Sequence, residues 1–212
     1  MLHRKGFQEK LDELQGDVIR LGTLALDMAR QAVEATYLRN ASLAEAVIAA
    51  DDAVDASERA IYTKAVIVVV EEAPVAADLR LLVATLGVVG EIERAADQTV
   101  KLARRSLKLG NRFPDKYRSE FAGLGDLARR QFGDAMRLYG SYDRGLGDSV
   151  IAGDEEIDRA YTSVRRGILE DMRSVDGDLE PYFLTLEAFH ALEHFADHAV
   201  EMARRLRMLY ER

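Results

Sequence analysis

The chain has 212 residues, 48% of them hydrophobic and 31% charged, enough for one large or two small domains that each bury a modest core. Its net charge of −8 and pI near 5.1 argue against a nucleic-acid backbone as the main partner and suit cations or basic surfaces. The absence of Cys excludes disulfides, thiolate metal sites and cysteine catalysis, and fits a reducing compartment.

Helix-favouring Ala, Leu, Arg and Glu dominate. Leu11, Leu14, Val18, Leu21 and Leu24-Ala25 recur at helical spacing, which predicts a first helix near residues 5–38. Asn40 and Ser42 offer a turn and an N-cap before a second helix near 42–71. The β-branched run Val66 to Val70 lies inside that pattern, where tertiary context is expected to override propensity. Pro74 is read as a first-turn residue of a third helix near 75–109. Gly110-Asn111 and Pro114 then stop the chain. Helices are expected near 115–142 and 146–174, with Gly145 and Gly147 between them. Gly177, Asp178 as N-cap and Pro181 introduce a sixth helix near 179–211. No strand-type alternation is present, and the short connections imply antiparallel neighbours.

The chain repeats itself. At an offset of 103 residues, Leu21-Gly22-Thr23-Leu24-Ala25 matches Leu124-Gly125-Asp126-Leu127-Ala128, and Val47 to Asp55 matches Val150 to Asp158. At an offset of 100, Asp78-Leu79 matches Asp178-Leu179. Glu93, Ala96, Asp97, Val100, Ala103, Arg104 and Arg105 match Glu193, Ala196, Asp197, Val200, Ala203, Arg204 and Arg205. The order is kept throughout. The expected fold is all-α: two tandem antiparallel three-helix bundles, residues 1–110 and 111–212.

The third helix of each copy carries the sharpest chemistry. Glu93 and Asp97 are four apart and share a helical face, as do Glu193 and Asp197. Two carboxylates there repel unless a cation or an arginine sits between them. One such pair is common on solvated helices, but the same pair at the same place in both copies favours a site. Asp51 and Asp55 in the second helix mirror Asp154 and Asp158 in the fifth. If helices two and three are antiparallel neighbours, these acids are positioned to converge. All-oxygen ligands suit hard cations such as Mg²⁺, Ca²⁺, Mn²⁺ or iron. Asp78 and Asp178 repeat near helix starts, where capping is the competing role.

Three of the four histidines, His190, His194 and His198, form an i, i+4, i+8 stripe on the last helix. His190 to His194 fits the inverted zinc-peptidase string H-x-x-E-H. Glu187 and His190 fit the E-x-x-H of di-iron bundles, which needs a second copy; the first half has no histidine beyond His3. The equivalent positions in the first copy are Gly90, Arg94 and Gln98. A metal-dependent hydrolase or oxidase on the last helix is therefore the alternative to a binding protein. Basic residues at helix ends (Lys101, Arg104, Arg105, Lys108, Arg204, Arg205 and Arg207) oppose helix dipoles. No Gly-rich phosphate loop follows a strand, so nucleotide binding has no support.

Pro74-Val75-Ala76-Ala77-Asp78-Leu79-Arg80, Ile92-Glu93-Arg94-Ala95-Ala96-Asp97 and Leu192-Glu193-His194-Phe195-Ala196-Asp197-His198-Ala199 resemble the segments P-x-A-x-D-L-R and L-E-R-x-x-D of the PhoU family. The resemblance covers nearly the whole chain. It implies a non-catalytic regulator of bacterial phosphate uptake, standing between the phosphate ABC transporter ATPase and a sensor histidine kinase. Such a regulator keeps the phosphate-starvation response off when phosphate is plentiful. It implies metal (Fe, Zn, Mg, Mn or Ca) at the E-x-x-x-D motifs, carried over to Glu93, Asp97, Glu193 and Asp197, with Asp78 and Asp178 as further candidates. Two departures mark the second copy. His194 replaces the usual Arg, which makes it a candidate ligand, and Glu180 stands where Arg80 stands in the first. Met1 to Lys10 holds no apolar core of signal-peptide length, and the apolar run around 65–70 is too short to span a bilayer. A cytoplasmic chain is expected, reaching the membrane only through partners and self-associating as a homodimer.

Overall fold

The computed structural model describes residues 2–209, and the side chains of 6–209; the side chain of His3 and the last residues of the expected sixth helix lie outside those described. Six long helices follow in order: α1 (Leu2–Leu38), α2 (Ala41–Glu72), α3 (Ala77–Leu109), α4 (Arg118–Ser141), α5 (Arg144–Ser174) and α6 (Glu180–Arg207). Among the described residues there is no strand. Val66 to Val70 is helical, as packing of Val68 into the core requires.

The helix ends explain where the expected boundaries shift. Asn40 caps α2 by accepting a hydrogen bond from the Leu43 backbone N–H at 3.3 Å. Pro74 does not open α3. A proline disfavours the helical region for the residue before it, so it ends α2 at Ala73, which turns left-handed with φ 44. The chain then needs a second positive-φ residue, Ala76 with φ 49 and ψ −109, before α3 begins. Gly145 and Gly147 fall inside the first turns of α5; the break is at Tyr142 (φ 54), and Asp143 caps α5 through Leu146 N–H at 2.9 Å. Between α3 and α4 the chain makes two short 3-10 turns, Gly110–Arg112 and Asp115–Tyr117, so α4 starts three residues late.

Each copy forms a three-helix bundle, α1–α2–α3 and α4–α5–α6. The bundles join through like elements: α3 against α6, the most extensive pairing in the molecule, and α1 against α4. Leu11, Leu14, Val18, Leu21 and Ala25 of the stripe read from the sequence are buried, Leu24 is partly buried, and Met28 extends the buried face. The first bundle is filled mainly by aliphatic residues and alanine, the second by rings. Phe121 meets Phe189 edge-on at 5.2 Å, and Phe132 stacks on Phe195 at 4.7 Å.

The α1–α4 contact is a reciprocal interlock. Gly22 lies where a Cβ would come within 2.3 Å of the Met136 side chain, and Gly125 where one would come within 2.8 Å of the Val33 side chain. Gly22 and Gly125 are equivalent at the 103-residue offset, and so are Val33 and Met136. The two bundles are therefore related by a pseudo-two-fold, the arrangement of a self-complementary dimer interface.

Candidate metal centres on the paired helices

In the second bundle α5 and α6 bring carboxylates together. One ligand oxygen each from Asp154, Asp158 and Asp197 lies within 4.8 Å of the others. Asp154 and Asp158, like Glu193 and Asp197, share a face by their four-residue spacing, and the packing of α5 on α6 turns those faces toward each other. Burial pushes the Asp154 carboxyl above the usual carboxylate range, and the negative charges of Asp158 and Asp197 add to it. Burial likewise raises Asp197, with Asp158 contributing, against the lowering pull of His194. Glu193 is pushed up to about 7 by burial, then by Asp197, Asp158 and Asp154. Asp154 Oδ1 and Glu193 Oε2 are fully shielded from solvent with no hydrogen-bond donor. Buried acceptors without partners are costly, and like charges gathered in partial burial are unfavourable without a counter-charge. These residues fit a bound cation.

The first bundle presents the same acids more loosely. Asp51 is raised by burial, then by Asp97 and Asp55. Glu93 is raised by burial, then by Glu58, Asp97 and Asp55. Its acids sense one another, but among the described residues no three of them converge to the 4.8 Å spacing of the second bundle. Lys101 lies 3.7 Å from Asp97, an ion pair the second bundle replaces by Glu201 at the equivalent position.

The motifs are otherwise sorted by the fold. Asp78 and Asp178 are exposed and sit near the starts of α3 and α6, roughly 20 Å from Glu93 and Glu193 at 1.5 Å rise per residue. Asp178 Oδ1 accepts from Glu180 N–H at 3.0 Å, a cap-like contact, and Arg112 bridges it to Glu180. That ion pair gives Glu180 a role Arg80 could not fill. Glu187 does not serve an E-x-x-H site, because Arg105 holds it by two hydrogen bonds of 3.0 and 3.1 Å. The histidine stripe divides. His190 and His194 flank Glu193, while His198 Nδ1 lies 2.9 Å from Glu91 Oε2 on α3.

Glu91 is the residue the sequence reading missed. It is 2% exposed and binds Arg94 and Arg205, each at 2.6 Å, as well as His198. Burial pushes its carboxyl up, but the hydrogen bonds from His198, Arg94 and Arg205 outweigh this and hold it below the usual range. The available signal was a carboxylate on the α3 face that carries Val88 and Ala95, where a charge demands a partner.

The comparisons agree with this architecture. The domain description of the PhoU family matches residues 18–106 and 121–206, on either side of the α3–α4 turns. A phosphate-specific transport system accessory protein PhoU homolog of Rhizobium meliloti (strain 1021) is 30% identical over 198 residues, covering 93% of this chain and 84% of its own. A homolog from Xylella fastidiosa (strain Temecula1 / ATCC 700964) is 27% identical over 199 residues, 94% of this chain and 82% of its own. The crystal structure of PhoU from Pseudomonas aeruginosa superposes with a TM-score of 0.92 at 26% identity, covering 96% of this chain and 98% of that one. Duplicated sequence, paired three-helix bundles and matched relatives lead to one conclusion: this chain belongs to the PhoU family and carries a PhoU domain in each half.

Proposed function

We propose that this protein is a non-enzymatic, cytoplasmic regulator of phosphate uptake and of phosphate-starvation signalling. It acts through contacts with the ATPase of a phosphate ABC transporter and with a sensor histidine kinase, and associates as a homodimer. The observation that carries the reading is family membership over both halves of the chain, together with relatives named as accessory proteins of phosphate-specific transport. Exposed apolar residues at the α2–α3 end, among them Val66, Ile67, Val70, Val75 and Val83, suit a protein that works by contact. None of the described helices is long and apolar enough to cross a membrane, which is consistent with a membrane role exerted through partners.

Divalent or iron cations are part of this reading. Asp154, Asp158 and Asp197, bordered by Glu193, would hold one in the second bundle, and Glu93 and Asp97 with Asp51 and Asp55 another in the first. A hard cation there neutralises the gathered charge and ties α5 to α6 and α2 to α3.

Deletion of the gene in its host tests the regulatory role: phosphate-starvation genes should be expressed in high phosphate. An unchanged response would overturn it. Pull-down of the transporter ATPase by the full chain, and sedimentation of the purified protein, test the partners and the dimer.

A further inference from the structure

Copy two contains a cluster that copy one lacks. Glu193 Oε2 is shielded from solvent and accepts no hydrogen bond, although two imidazole nitrogens stand near it: His190 Nδ1 at 3.3 Å and His194 Nε2 at 3.6 Å. A ligand atom from each of the three residues lies within 4.8 Å of the others. Two ligands of a tetrahedral cation with bonds of about 2.0–2.1 Å are separated by roughly 3.3 Å, close to the 3.3 and 3.6 Å that separate Glu193 Oε2 from the two imidazole nitrogens. His190 and His194 are one turn apart on α6 and so project side by side. Their rings are 4.0 Å apart, and the His190 ring is stacked on Tyr161 at 5.7 Å, which fixes its plane. The histidines are about half exposed, so the cluster opens to solvent and leaves room for an exogenous ligand.

Hydrogen bonds from the two histidines would satisfy Glu193 Oε2 without a metal, but those bonds are absent. Nor can copy one build the cluster. The equivalent positions are Gly90 and Arg94, and Arg94 is turned away to Glu91 at 2.6 Å. Tyr161 stands where copy one has Glu58, so the ring that orients His190 has also taken the place of an acid.

We propose that His190, Glu193 and His194 form a second cation site, distinct from the all-carboxylate cluster of Asp154, Asp158 and Asp197, that takes a borderline transition metal of the Zn²⁺ or Co²⁺ class in a four-coordinate, His₂Glu-plus-water geometry. Nitrogen ligands favour Zn²⁺ over Mg²⁺, Ca²⁺ and Mn²⁺, whereas the oxygen cluster beside it favours the latter. The second half thus holds two sites that select different metals, and the first half has no counterpart of the nitrogen-bearing one. The inference stands on the geometry of α6 and does not require the regulatory role.

The test is titration of the chelator-stripped full chain with Co²⁺, followed by competition with Zn²⁺. The wild type should develop the intense visible bands of four-coordinate Co²⁺. His190→Ala/His194→Ala should abolish them and weaken Zn²⁺ binding at least tenfold. His194→Arg, which installs the residue copy one carries at the equivalent position of α3, should abolish the bands in a folded chain. Asp154→Asn/Asp158→Asn should keep the bands while losing Mn²⁺, which reads the carboxylate cluster separately. A wild type showing only the pale six-coordinate spectrum, or histidine variants with unchanged bands and Zn²⁺ affinity, would overturn the proposal.

Discussion

Arg205 of α6 reaches across the bundle seam to place its Nη2 2.6 Å from Glu91 Oε1 of α3. Its pseudo-symmetric counterpart, Arg105, crosses the same seam in the other direction to Glu187. The two pairs are not equivalent. At the 100-residue offset Glu187 corresponds to Gly87, which lies under the Arg205 stem, where a Cβ would come within 2.8 Å. Arg205 therefore passes over the glycine to the next turn, four residues on. Glu91 gains a deeper setting than Glu187 and needs more cations to sustain its charge.

This seam makes a stability prediction. A buried carboxylate stripped of its partners is strongly destabilising. Arg205→Ala removes two hydrogen bonds to Glu91 Oε1 but leaves Arg94 and His198, so a loss of about 1.5 kcal/mol is expected, the low end for hydrogen bonds to a charged group. Arg94→Ala/Arg205→Ala should cost about 3–5 kcal/mol, more than the two single losses added. Urea unfolding of the four proteins in the cycle measures it; strictly additive losses would show that Glu91 is not the shared partner.

The metal-free protein should lose stability as pH rises. Glu193 binds its proton more tightly folded, with a value pushed up to about 7, than unfolded, where it is 4.5. Between those values the folded state holds more protons than the unfolded one, so stability falls with increasing pH across that window and levels off above it. Glu193→Gln removes the buried charge and should stabilise the chelated protein at pH 8 by about 1–3 kcal/mol, with little effect at pH 4. Melting temperatures against pH in the presence of chelator give the comparison.

The α1–α4 interlock predicts unequal responses from equivalent glycines. Alanine in a helix interior gains about 1 kcal/mol over glycine. At Gly22 the new methyl meets the end of Met136, a flexible side chain able to move aside, so Gly22→Ala should be close to neutral. At Gly125 it meets both γ-carbons of Val33, whose branched side chain is stiff in a helix. Overpacking there should outweigh the propensity gain and give a net loss of about 1–2 kcal/mol. Thermal unfolding of the two variants distinguishes them.

Ala76 holds a positive φ with ψ −109, a conformation in which a β-carbon is strained. Ala76→Gly should therefore raise stability by about 1 kcal/mol, a small upward shift in Tm. Ala77→Gly, at a helical position, should lower it.

Much of this was legible in the chain. The six helices, the duplication and the facing of Asp154 and Asp158 toward Asp197 follow from periodicity and from antiparallel packing of short-linked helices. What was not legible lay where two distant segments decide a residue's fate together. Pro74 satisfies the rules for a helix start and for a helix stop, and only the tertiary turn chooses. Glu187 and His190 spell a metal motif, but Arg105, 82 residues away in sequence, claims the glutamate. The three histidines look alike on a helical wheel. The neighbouring bundle takes His198 for Glu91 and leaves the other two with Glu193. Glu91 itself was overlooked because a lone carboxylate among apolar residues carries no pattern.

The reciprocal fit of Gly22 with Met136 and Gly125 with Val33 has a consequence for how the halves were able to diverge. A symmetric pair of identical chains must find every substitution acceptable twice, once on each side of its axis. Linking both halves in one polypeptide lifts that condition. Position 87 can shrink to glycine while position 187 keeps a carboxylate, and the last helix can acquire histidines that its counterpart never has to accommodate.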